Sequence, residues 1–373
     1  MRFGLIGVIN IKLTYIKSDF GMINMKQKLR YLGFVLALPF LFIYGCKTQK
    51  GKFEFVNPKS GSKVLKGEKL QLKLNFNDVA IDSVVYSVDG NVFDRKTDTA
   101  AVAFDTDKHG YGSKRLSAKI YAQGKEDIAY SDLLVVPPAP KAYAFEVVNT
   151  YPHDSTAFTQ GLFYENGALF ESTGKEDRTS LRRVDLKTGK VIQKMDGDGT
   201  FFGEGMTVVG DKVYFLTWLN KKGFIYDKVT FKLIKSFDYG KSTEGWGLTY
   251  DGKQFVKSDG SANIYFLDPV NLQETGSVQV FDDNGPVDRI NELEFVDGKI
   301  FANIYDQSKD EVVIIDPATG VVEGRINFVG LYDGLRKSAD NEMNGIAYKA
   351  DTKTFLVTGK DWTKLFEVRL KER

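Results

Sequence analysis

Glu204 is the one carboxylate among five residues that each lead a recurring strand pattern. The pattern reads Gln160-Gly161-Leu162, Glu204-Gly205-Met206, Trp246-Gly247-Leu248, Asn291-Glu292-Leu293 and Asn344-Gly345-Ile346, with starts 44, 42, 45 and 53 residues apart. Glu204 stands behind two aromatic residues in Phe201-Phe202-Gly203-Glu204. A carboxyl group beside aromatic walls tends toward a raised pKa, which suits proton shuttling near neutral pH. The competing reading is a channel-lining carboxylate paired with a Lys or with backbone amides. Fourteen residues beyond Glu204 comes Trp218, the same offset from Asn291 gives Tyr305, and near the matching place in the last copy lie Lys360 and Trp362. Such aromatics either wall a small pocket or pack a rim. Lys360 either orients Glu204, binds a carbonyl, or is solvated. His153 shows no evident partner and reads as structural.

Other chemistries find no footing. There is no Gly-x-Ser-x-Gly elbow, no Gly-rich phosphate loop ending in Lys-Ser or Lys-Thr, and no His-Glu-x-x-His. The two histidines, His109 and His153, are far apart, which argues against a His-based zinc site. The single cysteine, Cys46, lies at the end of an N-terminal apolar run, so a thiol nucleophile is excluded. A net charge of +2 makes no electrostatic case for nucleic acid. Acid/base chemistry without a metal or a covalent intermediate remains.

The pattern leaders need a scaffold that makes them converge. Each copy continues through an apolar residue and a Gly- or Asp-bearing turn into a second apolar strand, as in Leu293-Glu294-Phe295-Val296-Asp297-Gly298-Lys299-Ile300-Phe301. A second recurring turn, Asp185-Leu186-Lys187-Thr188-Gly189 and its counterpart Asp316-Pro317-Ala318-Thr319-Gly320, joins a third strand to a fourth. Four short strands repeated at this period predict an all-β, five-bladed β-propeller over residues 141–373. Its innermost strands would start beside the central channel, with the leaders ringing one mouth. The last copy has three strands of its own, and Ala142–Thr150 is expected to supply the fourth and seal the ring.

Residues 52–136 alternate β-type runs with turn signals, such as Leu70–Phe76 and the Asp89-Gly90 hairpin turn, and predict an immunoglobulin-like sandwich. Val136-Pro137-Pro138-Ala139-Pro140 marks the boundary, with 137–140 as a stiff linker. Lys26, Lys28 and Arg30 precede an apolar run to Tyr44 and then Gly45-Cys46, which resembles a lipoprotein signal over 1–46 with its true start at Met25. Lipidation of Cys46, a tether over 47–51 and a membrane-anchored, monomeric protein of the bacterial cell envelope, facing the periplasm or on the outer-membrane surface, are the expectations.

Several motifs together identify a family. Tyr151-Pro152-His153-Asp154 with Ala157-Phe158-Thr159-Gln160-Gly161-Leu162, Phe202-Gly203-Glu204-Gly205, Glu244-Gly245-Trp246-Gly247, Asp288–Glu294, Met343–Tyr348 and Val357–Trp362 follow in the order seen in plant-type and bacterial glutaminyl-peptide cyclotransferases. The chain resembles them from about residue 141 to its end. The resemblance implies a five-bladed propeller that converts an N-terminal glutamine of a peptide to pyroglutamate and releases ammonia, without the zinc of the animal type. It implies Glu204 as the central acid/base residue, and Phe158, Gln160, Phe202, Trp218, Trp246, Asn291 and Lys360 as pocket residues. Tyr305 departs from the family, which usually has Trp there; an aromatic wall is kept and a hydroxyl added. No cofactor is required, although family members can hold a calcium ion in the channel, for which no ligand motif is visible. The alternative reading is a non-catalytic propeller that binds peptides or glycans at the cell surface.

Overall fold

The computed structural model describes residues 53–333 and 335–373. The signal, the tether and Cys46 therefore lie outside the described residues. Those described are all-β apart from one short 3-10 turn at Thr106–Lys108.

Two sheets come first. Glu54–Asn57, Lys69–Asn75 and Val102–Asp105 form one, and Ser62–Leu65, Lys125–Val136, Gly112–Ala122, Ser83–Val88 and Asn91–Lys96 form the other. Leu72, Tyr86, Phe104, Leu116 and Leu133 are buried together as their shared core. The Asp89-Gly90 turn joins Ser83–Val88 to Asn91–Lys96 with φ of 48° and 83°, both in the left-handed region that a tight hairpin requires.

Beyond Pro140, apart from the short pair Phe281–Asp282 and Gly285–Pro286, the strands fall into antiparallel groups of four. Thr159–Glu165, Ala168–Thr173, Ser180–Asp185 and Val191–Asp196 form the first, and Gly203–Val209, Lys212–Thr217, Lys222–Asp227 and Leu233–Asp238 the second. Leu248–Tyr250, Phe255–Ser258, Asn263–Leu267 and Glu274–Gln279 follow, then Ile290–Val296, Lys299–Ile304, Glu311–Ile315 and Val322–Asn327. Met343–Lys349, Thr354–Gly359 and Lys364–Glu372 are completed by Lys141–Pro152, which pairs antiparallel with Lys364–Glu372. The same strand also runs parallel to Val322–Asn327 over Lys141–Tyr143. Apolar side chains fill the gap between each group and the next: Phe170, Met206 and Phe215 in one, Leu216, Leu248 and Phe255 in the next. Leu162, Leu169, Ala347, Leu356 and Leu365 join the last group to the first, so the packing closes on itself.

The recurring Asp turn is built alike each time. Asp185, Asp227, Asp268 and Asp316 each accept, through Oδ1, the backbone N–H three residues on, at 2.7 to 3.0 Å. The residue after takes a left-handed φ: 67° at Gly189 and 73° at Gly320, but also 55° at Phe231 and 63° at Leu272. A side chain there costs on the order of 1 kcal/mol of strain. Phe231 and Leu272 are buried, which offsets that cost.

The glycines after the leaders answer to crowding at the centre. A Cβ on Gly205 would come within 2.4 Å of the Trp246 carbonyl oxygen, and one on Gly247 within 2.1 Å of that of Asn291. The fourth copy carries Glu292 at this position. Its carboxylate accepts the Leu162 N–H at 3.1 Å and the Ile346 N–H at 2.9 Å, stitching three innermost strands together. Two residues on, Glu294 accepts the Tyr348 N–H at 2.8 Å, and burial pushes its carboxyl up to about 8 from an ordinary 4.5. A folded carboxyl that keeps its proton longer than the unfolded one contributes stability that is full below about pH 4.5 and is lost as pH rises toward 8. Glu294→Gln keeps the acceptor and removes the titration. Its melting temperature should fall less than that of the wild type between about pH 5 and pH 8; parallel curves would refute the assignment.

Candidate active site

Phe158, Gln160, Phe202, Glu204, Trp218, Trp246, Asn291, Tyr305 and Lys360 line one cavity of about 270 Å³, together with Asp340 and Glu342. A larger groove of about 750 Å³, beside Tyr143, Phe301 and Phe355, contains none of the candidate site residues.

Glu204 lies on the second innermost strand, Gly203–Val209, and is 5% exposed. Gln160 Nε2 donates to Glu204 Oε1 at a long 3.4 Å. Burial drives the Glu204 carboxyl well above its usual range, the Lys360 ammonium pulls it back, and the Glu244 carboxylate adds to the rise. Gln160 is in turn held by Asn344, whose Nδ2 donates to Gln160 Oε1 at 2.8 Å and to the Thr159 carbonyl at 3.1 Å. Asn344, a leader expected at the mouth, thus sits behind Gln160 and does not line the cavity. This amide chain leaves the Gln160 N–H groups facing the carboxyl.

The aromatic walls are oriented by a residue that the sequence analysis placed in a family motif but not in the site. Trp218 Nε1 and Trp246 Nε1 both donate to Glu244 Oε2, at 2.5 and 2.7 Å. Glu244 is held by a buried base: Lys257 Nζ donates to the Glu244 carbonyl at 2.5 Å and to Ser242 Oγ at 2.5 Å. Desolvation lowers the Lys257 ammonium to about 8. Phe202 stands edge-on to Phe158 at 6.1 Å and to Trp218 at 5.5 Å, and Trp246 edge-on to Tyr305 at 5.6 Å. Glycines alternate with aromatics at the fourteen-residue offset for a steric reason. A Cβ on Gly174 would meet the Phe202 ring at 2.2 Å, and one on Gly260 the Trp246 ring at 2.6 Å.

Lys360 is buried. Its Nζ lies 5.0 Å from the centre of the Phe158 ring and 4.9 Å from that of Tyr305, and donates to Glu342 Oε1 at 2.5 Å. It is therefore not a solvated lysine. Glu342 and Glu244 both precede a leader by two residues, the offset that also places Phe158 and Phe202. Side chains two apart on an extended strand share a face, so this signal was available in the sequence.

Two residues considered for the site lie elsewhere. Trp362 is fully buried, stacked on Tyr332 with ring centres 4.1 Å apart, and donates Nε1–H to the Asn341 carbonyl. His153 does have a partner: Nε2 lies 3.0 Å from Glu171 Oε1, and Nδ1 2.8 Å from the Trp362 carbonyl. Burial works against its charge, but the Glu171 carboxylate outweighs it and raises the imidazole pKa. Among the described residues no three His, Cys, Asp or Glu side chains stand close enough to hold a metal ion. Glu292 and Glu294 are bonded to backbone amides instead. The described side chains thus offer no acidic cage for a calcium ion.

A family model described as glutamine cyclotransferase matches residues 117–370, starting earlier than the resemblance read from the motifs and taking in the strand Lys125–Val136. The chain is 40% identical over 233 residues to a protein of Arabidopsis thaliana, glutaminyl-peptide cyclotransferase, covering 61% of this chain and 71% of the plant protein. It is also similar to the crystal structure of Myxococcus xanthus glutaminyl cyclase, with a TM-score of 0.58 and 35% identity over 63% of this chain and 99% of the other.

Proposed function

Because this chain belongs to the glutamine cyclotransferase family, we propose that the cavity around Glu204 closes an N-terminal glutamine of a peptide into pyroglutamate. The chain is an enzyme of the glutaminyl-peptide cyclotransferase type. The observation that carries the site assignment is a buried carboxyl, driven up by desolvation and accompanied by an amide and an ammonium, in the lining of a small aromatic cavity.

The substrate brings both reactants. Its α-amine attacks its own γ-carboxamide carbon, and the C–N bond that forms closes a five-membered ring. Holding the two groups in attack geometry supplies on the order of 7–11 kcal/mol in favourable intramolecular cases. Glu204 takes a proton from the attacking nitrogen and delivers it to the departing amide nitrogen, which leaves as ammonia when the carbonyl re-forms. Gln160, Asn291 and Lys360 line the cavity and can donate to the tetrahedral oxyanion, each such bond being worth about 3 kcal/mol. Phe158, Phe202, Trp218, Trp246 and Tyr305 keep water away, which favours ring closure over hydrolysis.

The groups of four strands read as the blades of a five-bladed propeller, supported by packing that closes from the last group to the first. The two N-terminal sheets read as an immunoglobulin-like domain over 52–136, and a monomer anchored to the bacterial envelope by a lipid on Cys46 completes the proposal. The purified protein incubated with a Gln-leading peptide should release one ammonia per peptide, read as a 17 Da loss by mass spectrometry (roughly the mass of ammonia, from near-attack ring closure). An unchanged peptide mass would overturn the function.

A further inference from the structure

Glu342, one of the cavity's carboxylates, is not used by the mechanism above. Glu342 is 2% exposed and lines the cavity. Oε1 accepts from Lys360 Nζ, while Oε2 is buried with no partner. A buried carboxylate oxygen without a donor is costly, and the side chain is already fixed through its other oxygen. A ligand that brings an N–H to this point relieves the penalty. Glu204 and Glu342 are thus differently equipped: Glu204 has one long amide contact, whereas Glu342 is tied to a cation.

We propose that Glu342 Oε2 accepts an N–H of the substrate's α-amino group and so makes a free N-terminus a condition of binding. This rests on the cyclotransferase reading of the cavity. Lys360 on the first oxygen balances the carboxylate, so the amine is held without being locked in its protonated form. A neutral amine has two N–H bonds. One proton passes through Glu204 to the departing ammonia; the other stays on nitrogen, becomes the lactam N–H and remains hydrogen-bonded to Glu342. Glu342 is therefore a specificity-determining residue, and its effect should appear in recognition of the amine.

The test uses the full chain and two ligands that cannot cyclise. One is a peptide led by asparagine, one methylene too short for the five-membered ring; the other is its desamino counterpart, identical except for the missing α-amine. Both are titrated calorimetrically. The wild type should bind the amine-bearing peptide about 10-fold or more tightly than the desamino one, as expected for a buried bond to a charged group. E342Q should reduce that preference to about twofold or less while changing the desamino affinity little. If E342Q does not fold, E342D still offers Lys360 a carboxylate from a shorter arm, and should lower the preference severalfold. Equal weakening of both ligands would mean that Glu342 only holds Lys360 and would overturn the proposal. An unchanged preference would overturn it too. Binding of neither peptide by a wild type that still cyclises a Gln-leading peptide would overturn the Glu342 proposal alone, whereas absence of cyclisation would overturn the reading it rests on, so the two failures are distinguishable.

Discussion

Glu204→Gln should lose about 10²- to 10⁴-fold in kcat toward a Gln-leading peptide, the range for removing a general acid/base, and should melt no lower than the wild type at pH 7. The two halves of this expectation come from the same burial. Desolvation lifts the Glu204 carboxyl well above 4.5. A carboxyl whose folded pKa is raised contributes stability that is present below its unfolded value and lost as pH climbs through the folded one. A neutral amide of the same shape escapes that loss. The variant is thus expected to be at least as stable and far less active. Gln at this position still meets Gln160 but cannot carry a proton between nitrogens. The wild-type profile should follow the same sign. Accepting a proton needs the carboxylate, so kcat/KM should fall on the acid side at a pH well above the ordinary carboxylate range. A Glu204→Gln enzyme with wild-type turnover would remove the carboxyl from the centre of the mechanism, and one that melts below the wild type would refute the stability half of the expectation.

Much of this arrangement was legible in the sequence because it repeats. Strand period and turn chemistry recur from copy to copy, and a recurring Asp turn such as Asp185–Gly189 can be read without coordinates. The leaders Gln160, Glu204, Trp246 and Asn291 stood out because each replaces an expected scaffold residue with a polar or aromatic group. What repetition does not carry is contact between copies. Glu292 occupies a glycine position and reaches two other innermost strands, which no local pattern announces. Glu244 precedes Trp246 by two residues, yet its bond to Trp218 depends on the angle between neighbouring groups. Asn344 follows the leader pattern and still ends up behind Gln160, because its amide is used by the Thr159 carbonyl and the Gln160 side chain. Trp362 was ambiguous for a similar reason. Its ring is claimed by Tyr332, in a loop whose position the spacing could not specify.

Ending the chain at Thr363 should abolish cooperative unfolding altogether. Lys364–Glu372 lies between Thr354–Gly359 and Lys141–Pro152, so its loss removes an interior strand and strands the closing one. Leu365, Phe366 and Val368 are buried on it, and emptying sites of this kind costs about 2–5 kcal/mol each. Together they approach the whole folding margin of about 5–15 kcal/mol. Glu367 adds a polar loss. Its carboxylate accepts from Tyr151 Oη at 2.7 Å, Asn149 Nδ2 at 2.8 Å and Thr354 Oγ1 at 2.7 Å. Burial alone would raise that carboxyl, but these bonds prevail and lower it to about 2. Its contribution is therefore complete above the unfolded carboxyl range and disappears only as pH falls toward 2. Without the strand, the donors on Asn149, Tyr151 and Thr354 lose this acceptor and a sheet edge is left open to other chains. Removing only Lys371, Glu372 and Arg373, which are exposed, is the matched control and should leave the melt cooperative. A protein ending at Thr363 that stays soluble and melts within a few degrees of the full chain would show that the ring does not depend on joining its two ends.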